Sequence, residues 1–162
     1  MIDILFEQNI IQNTGLAAEA IWQAVNETYE TKGRTEGVPF PLVFLVLPLT
    51  FHKRTAIALA SKTQPGAIYK ALAEDREIPV GLQARMQAMS DRTLHALSIG
   101  FSTGLLKLDQ DHQRQIIPGK KTPPVAHVTE DVKTILKAAK RVGQTFAELT
   151  IVQLASHLEI KF

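Results

Sequence analysis

The residues that most often carry out chemistry are few and scattered in this chain. Histidines occur at five separate positions, His52, His95, His112, His127 and His157. None of them stands at a recognised metal-ligand spacing such as H-E-x-x-H. The chain has no cysteine, which excludes a disulfide, a thiolate metal site and a cysteine nucleophile. The sequence therefore predicts no metal centre and no redox chemistry.

Nucleotide binding and hydrolysis also lack their usual motifs. Neither G-x-x-x-x-G-K-[ST] nor G-x-G-x-x-G occurs. GFSTG (100–104) has the spacing G-x-S-x-G, but it lies at the end of a predicted helix and not at the strand-to-helix turn that presents a nucleophilic serine. His52, Lys53 and Arg54 follow an apolar run and could meet a partner, but we favour a structural cluster at a helix end. We expect no enzyme, no catalytic residue, no cofactor and no small-molecule substrate.

Basic side chains are concentrated in one part of the chain, residues 112–141, which holds seven basic and two acidic residues. Clustered lysine and arginine can bind phosphates or an acidic protein surface. Lysines on the outer face of a helix more often confer solubility and complement the helix dipole, and we favour that interpretation. The candidate partner or nucleic-acid surface is formed by Arg114, Lys120, Lys121, Lys133, Lys137, Lys140 and Arg141.

The composition is that of one globular domain spanning residues 1–162. The chain has 162 residues, 45% of them hydrophobic, which is enough to bury a core without disulfides. Residues 1–7 lack the basic start and apolar stretch of a secretory signal. The longest apolar run, 42–49, contains Pro48 and is shorter than the ~20 residues of a membrane helix. We expect a cytoplasmic protein without a membrane segment.

Most of the chain has helical periodicity. Asn13 or Thr14 caps a predicted helix over 14–31. A second helix within 41–60 is expected to kink or break near Pro48, and a short third helix starts close to Pro65. A long helix over about 80–102 is then predicted to end at Gly104.

Two short apolar runs follow, at 105–108 and 113–117, on either side of the polar tip 109–112, and they predict a β-hairpin. A proline-rich connector comes next. Thr129 then caps a helix that is expected to end before Gly143. The spacing of Thr145 and Glu148 is typical of a capping box, which would open a final helix to about Leu158.

The predicted fold is mainly α with a small β-hairpin, a winged helix-turn-helix-like core with added N-terminal and C-terminal helices. Its parts are an N-terminal helix (14–31), the core (39–118), a connector (119–128) and a C-terminal helical pair (129–160). Such cores either read DNA or dock proteins. The polar residues available for DNA reading are Gln83, Arg85, Gln87 and Arg92 on the long helix and Lys107, His112 and Arg114 on the wing, beside Asp109 and Asp111.

Four segments of the chain carry a family resemblance. They are NTGLAAEAIW (13–22), PLVFLVLPLTFHKRT (41–55), GFSTGLLKL (100–108) and AKRVGQTFA (139–147). In these segments the chain resembles the middle components of bacterial three-component ABC systems, which include Lamassu-type anti-phage defence. The segments are mostly apolar and structural, and they bring no catalytic residue.

The resemblance implies a non-catalytic adaptor of a defence complex. Its partners would be an SMC/Rad50-like ABC ATPase and an effector, which the subunit bridges to the ATPase and restrains until the ATPase senses foreign DNA. Direct contact with DNA inside such a complex is compatible with this role. The alternative function is that of a winged-helix DNA-binding protein or transcriptional regulator.

Overall fold

The computed structural model describes residues 13–111, 114–124 and 129–162. His112 at the predicted hairpin tip, His127, residues 1–7 and the end of the connector lie outside these ranges. The first described helix, α1, spans Thr14–Thr31, as predicted. Asn13 is its N-cap, because the side-chain Oδ1 accepts a hydrogen bond from the Leu16 N–H at 3.0 Å.

The apolar stretch after α1 folds differently from the prediction. It forms three short helices, α2 (Phe40–Val43), α3 (Val46–Thr50) and α4 (Lys53–Ala60). The sharp turn lies at Phe51 and His52, where the chain bends by 101°, and not at Pro48. Pro48 lies in the first turn of α3, where a helix needs no N–H donor, so the proline is accommodated without a kink.

The next helices are α5 (Ala67–Glu74), α6 (Leu82–Ala88) and α7 (Ser90–Thr103). The long helix predicted over 80–102 is therefore two helices that are separated at Met89, whose φ of −100° and ψ of 5° leave the helical region. The predicted stop at Gly104 is confirmed. Gly104 has a φ of +81°, a conformation that favours glycine and ends α7.

The predicted hairpin is confirmed and is part of a larger sheet. Strands β2 (Leu106–Leu108) and β3 (Gln115–Pro118) pair antiparallel, with Leu108 opposite Ile116. A short strand after α1, β1 (Val38–Pro39), pairs with the other edge of β3, which gives the order β1-β3-β2. The sequence did not indicate β1, because two residues beside a proline carry no periodicity. A winged helix-turn-helix-like core does not conflict with this topology and stays a prediction.

The C-terminal pair consists of α8 (Glu130–Glu148) and α9 (Ile151–Leu158). The predicted end of α8 at Gly143 is wrong, because the helix continues through that residue for another turn. The capping box predicted at Thr145 and Glu148 is also wrong. The box is formed by Thr150 and Gln153, whose side chains each accept a hydrogen bond from the other residue's backbone N–H.

The core is organised around α1, which packs against both α8 and α7. At its crossing with α8 the two backbones approach closely. A Cβ added at Gly143 would lie 2.4 Å from the Ala24 carbonyl oxygen. The Thr28 hydroxyl spans the crossing, since it lies 2.8 Å from the Ala24 carbonyl oxygen and 2.9 Å from that of Gly143. Glycine at 143 therefore serves the approach of two helices, not the end of one.

The chain as described is mainly helical with a small antiparallel sheet. No single helix among the described residues is long and apolar enough to cross a membrane. The bent pair Phe40–Thr50 and Lys53–Ala60 reaches that length and composition only when joined. Its apolar side chains, such as Leu45, Val46 and Leu47, are buried in the core of this structure.

Candidate partner-binding surfaces

An apolar groove with two pockets lies on the described surface. The first, which we call the C-terminal pocket, has a volume of about 650 Å³. The second, the α7 pocket, has a volume of about 570 Å³. Phe40 lines both, so the two pockets adjoin, and together we call them the apolar groove. The C-terminal pocket is lined by Phe40, Pro41, Phe44, Gln83, Met86, Gln87, Ser90, Lys161 and Phe162, and the α7 pocket by Phe40, Leu94, Leu97, Ser98, Phe101 and Ser102.

Phe40 is held in this position by the sheet. Its backbone N–H donates a hydrogen bond to the Arg114 carbonyl oxygen at 2.9 Å, one residue beyond the β1–β3 pairing. Its ring meets Phe44 edge to face, with 5.4 Å between the ring centroids. The ring is nevertheless 38% exposed. A large side chain that is fixed at its backbone and open on two sides is a ready contact for another protein.

The C-terminal residues close one wall of the groove. Glu159 takes a left-handed conformation with a φ of +55°, which ends α9. Gln83 then holds the following segment through both ends of its amide, because Oε1 accepts from the Lys161 N–H at 2.7 Å and Nε2 donates to the Lys161 carbonyl oxygen at 3.1 Å. This arrangement fixes Phe162 beside Met86 and Phe44.

The outer face of α7 is poorly suited to reading DNA. Its exposed positions are Asp91, Leu94, His95, Ser98, Phe101, Ser102 and Thr103, so the face holds apolar, hydroxyl and imidazole side chains and one acid. A carboxylate repels phosphate, and base reading needs exposed arginine, lysine or amide side chains. Gln83 is engaged with Lys161, and Arg85 donates to the carbonyl oxygens of Pro48 and Val80. Gln87 is exposed on α6 and Arg92 is half-buried on α7. Two of the four helix residues named for DNA reading are thus engaged within the chain, and the apolar character of the face favours protein docking.

Four of the predicted basic site residues lie on α8. Lys133, Lys137 and Lys140 are exposed on the face opposite the buried stripe. Lys133 forms an ion pair with Glu130 at 3.0 Å. Lys137 and Lys140 have no ion pair within the described part of the chain. Arg141 is structural, because its Nη1 donates to Gln144, whose Nε2 in turn donates to Glu27 of α1.

The other three predicted basic residues lie beside the sheet. Arg114 immediately precedes β3, and Lys120 and Lys121 follow it. The backbone N–H of Lys121 donates to the Gly104 carbonyl oxygen at 3.1 Å, which places this lysine at the C-terminal end of α7. A cation is favourable there because it complements the helix dipole. The seven residues therefore form two groups, one on α8 and one beside the sheet.

His52, Lys53 and Arg54 lie at the start of α4, where their contacts are internal. Arg54 bonds Asp75 through Nε and Nη2 at 2.5 and 3.1 Å, and its Nη1 lies 2.5 Å from Glu77 Oε2. His52 Nδ1 lies 2.9 Å from the Thr55 hydroxyl. Burial lowers the pKa of His52, and the nearby charges of Arg85 and Arg54 lower it further. The structural interpretation of this cluster is confirmed.

No group of three or more histidine, aspartate or glutamate side chains that could hold a metal ion occurs within 13–111, 114–124 and 129–162.

The apolar groove was not predicted from the sequence. The sequence feature that could have revealed the groove is a second row of apolar residues on α7. Its members are Leu94 and Phe101, beside the core residues Ala96 and Leu97. Phe101 lies one helical turn beyond the buried Leu97, yet 37% of it is exposed.

Comparison with known proteins gives one match. The family described as ABC-three component (ABC-3C) system Middle Component 3 matches residues 1–162. No curated protein and no solved structure matches the chain. The family match covers the helices, the sheet and both candidate surfaces, and the resemblance seen in the four sequence segments is confirmed at this level. This chain belongs to the middle-component family of ABC-three component systems.

Proposed function

We propose that this chain is a non-catalytic adaptor that joins an SMC/Rad50-like ABC ATPase to an effector in a cytoplasmic, Lamassu-type anti-phage complex, and that it restrains the effector. Membership of the middle-component family supports an adaptor role over an enzymatic one and implies protein partners. The apolar groove is the structural observation that carries the proposal. It offers an open, largely apolar surface around Phe40.

A bridging subunit needs at least two separate surfaces. The groove is built largely on α6 and α7, whereas the exposed lysines Lys137 and Lys140 lie on α8. α1 packs against both α7 and α8, so the two surfaces are carried by different helices of one core. One surface is apolar and the other carries exposed lysines, so each suits a partner of different chemistry.

Co-expression with the encoded neighbours tests the proposal. We expect this chain to purify at physiological salt in one complex with an ABC ATPase and a second protein encoded beside it. Leu94→Glu should release a partner, because a charge in an apolar pocket is costly to desolvate. Val152→Glu is the matched control, since Val152 is 77% exposed on α9 and lines neither pocket. A chain that purifies alone beside intact neighbours would overturn the adaptor function.

A further inference from the structure

We infer that three lysines at the base of the hairpin, Lys107, Lys120 and Lys121, bind the phosphate backbone of double-stranded DNA without reading its sequence. We call these three residues the lysine cluster. The inference goes beyond the adaptor function and does not depend on it. It rests on the positions of the lysines, on the charges around them and on the surface in which they lie.

Strand pairing fixes the position of Lys107. This residue of β2 lies opposite Ile117 of β3, so the two side chains share one face of the sheet. Ile117 is buried there, whereas Lys107 is exposed. Leu108, the exposed apolar residue of β2, points to the opposite face because side chains alternate along a strand. Lys107 is therefore presented to solvent on the face that does not carry Leu108.

Lys120 and Lys121 follow β3 and lie beside the start of β2. The Gly119 N–H donates to the Leu105 carbonyl oxygen at 2.7 Å. The Lys121 N–H donates to the Gly104 carbonyl oxygen at 3.1 Å. The stem of Lys121 also crosses Gly104, since its Cγ and Cδ lie 3.6 Å from the position that a Cβ there would occupy. These contacts hold both exposed lysines at the end of the hairpin from which β2 starts.

The charge of the lysine cluster is not neutralised within the chain. None of the three ammonium groups has an ion pair with any of the described residues. The sequence around them is free of acids, because neither 92–108 nor 112–129 contains aspartate or glutamate. The dipole of α7 favours a cation at Lys121, but it does not account for Lys107 on β2. Grouped cations without internal partners attract an anionic surface.

The acids that border the lysine cluster are engaged elsewhere. Asp109 lies at the tip of the hairpin, where its Oδ1 accepts a hydrogen bond from the Asp111 N–H at 3.0 Å. Glu36, which precedes β1 at the other edge of β3, pairs with Lys32 at 2.9 Å. Within the described part of the chain, neither acid pairs with a lysine of the cluster.

The surface around the lysine cluster suits duplex DNA better than a protein or a single strand. Protein interfaces have an apolar centre, whereas Thr103 and Thr122 are the exposed neighbours of these lysines in the sequence. Proteins that bind single strands stack the bases on exposed aromatic rings. The nearest exposed ring in the sequence, that of Phe101, lines the α7 pocket instead. A phosphate backbone needs only the cations.

The spacing of the lysine cluster also suits a DNA strand. Lys120 comes three residues after the residue that pairs with Lys107, which is roughly 10 Å at 3.3 Å per residue. One strand of the duplex carries a phosphate about every 3.4 Å along the axis, so this distance spans about three phosphates. Phosphates carry no sequence information, and the apolar and hydroxyl side chains of the outer face of α7 do not add base reading.

Binding of the full chain to a fluorescent DNA duplex tests the inference, by anisotropy between about 50 and 200 mM salt. We expect the affinity to fall with salt and to be equal for two duplexes of unrelated sequence. The hairpin variant combines Lys107→Gln, Lys120→Gln and Lys121→Gln. It should bind more than about tenfold more weakly, and the slope of log Kd against log salt should decrease by about 0.9 for each lysine removed.

The matched control carries Lys133→Gln, Lys137→Gln and Lys140→Gln on α8, which removes the same charge from another surface. It should keep the salt slope of the unmodified chain. Circular dichroism checks the fold of both triple variants. The single variants Lys107→Gln and Lys120→Gln, each expected to lower the slope by about 0.9, keep the test valid if the hairpin variant unfolds.

Four results would overturn the inference. They are no duplex binding at the lowest salt, equal weakening by the hairpin and α8 variants, tighter binding of a single strand of the same length, and a preference for one duplex sequence. Loss of a protein partner from complexes purified through the hairpin variant, with duplex binding unchanged, would assign the lysines to an acidic protein instead. Because DNA binding is measured without partners, its absence would leave the adaptor function standing.

Discussion

At the scale of single residues, the structure depends on a few positions whose role is contact and not chemistry. Gly143 is the clearest of them. It lies inside α8, where glycine is unfavourable, yet a side chain there would collide with the backbone of α1 at Ala24. Thr28 completes the crossing through its hydroxyl, which is buried between the two carbonyl oxygens it contacts.

Gly143→Ala should therefore lower the free energy of unfolding by about 1–3 kcal/mol, because the added methyl group overpacks a tight helix crossing. Urea denaturation followed by circular dichroism measures the change. Gly15→Ala is the matched control, since its Cβ would meet only the Asn13 side chain at an ordinary 3.4 Å. That variant should keep the stability or raise it by up to about 1 kcal/mol. Equal effects of the two substitutions would refute the close crossing.

His52 makes stability depend on pH. Its pKa in the folded chain is lowered, by burial first and then by Arg85 and Arg54, so the unfolded chain binds the proton more readily. Stability should therefore fall as the pH drops from about 6.5, the usual histidine pKa, towards the folded value. His52→Asn removes this titrating group, so the denaturation midpoint should change less with pH between pH 7.5 and 5. His95→Asn, on the exposed face of α7, should keep the pH dependence of the midpoint. Parallel slopes in both variants would exclude His52 as the source.

At the scale of elements, the sequence correctly predicted those helix ends that depend on residues close together in the chain. Asn13 capped α1 as expected, and Gly104 ended α7 as expected, because both signals act within one turn of the chain. The wrong or missing predictions concern features that depend on contacts between residues far apart in the sequence. In the sequence Gly143 resembles a helix end, but in the fold it allows α1 to pack closely against α8. Strand β1 forms because β3, which is distant in the sequence, pairs with it. The groove was missed for the same reason, since it joins α2, α6, α7 and the C-terminal segment.

The start of α9 offers a test of these local signals. Thr150 and Gln153 cap it reciprocally, whereas the spacing of Thr145 and Glu148 suggested a box that the structure does not contain. Thr150→Ala should destabilise the chain by about 1 kcal/mol, because it removes the acceptor for the Gln153 N–H. Thermal unfolding of Thr150→Ala, Gln153→Ala and the double variant measures the coupling. Strict additivity of the two single effects would count against a reciprocal cap.

At the scale of the whole molecule, two unlike surfaces are carried by different helices that both pack against α1. The groove around Phe40 is apolar, with Lys161 at one end. The outer face of α8 is charged, with Lys137 and Lys140 exposed between Glu130 and Glu148. The chemistry of the surfaces differs enough that one partner is not expected to occupy both. This separation is what distinguishes an adaptor from a protein with a single binding face.

Paired variants should therefore separate the two contacts. Leu94→Glu should lose one component of the complex and retain the other, and Lys137→Glu with Lys140→Glu should do the reverse, because reversed charges repel an acidic partner. Quantitative mass spectrometry of the complexes purified through this chain measures both. Replacing the same lysines by glutamine, and repeating the purification at higher salt, separates attraction by charge from packing, since only charge attraction is screened. Loss of the same component in both variants would mean that the two surfaces serve one partner, and the bridging role would have to be abandoned.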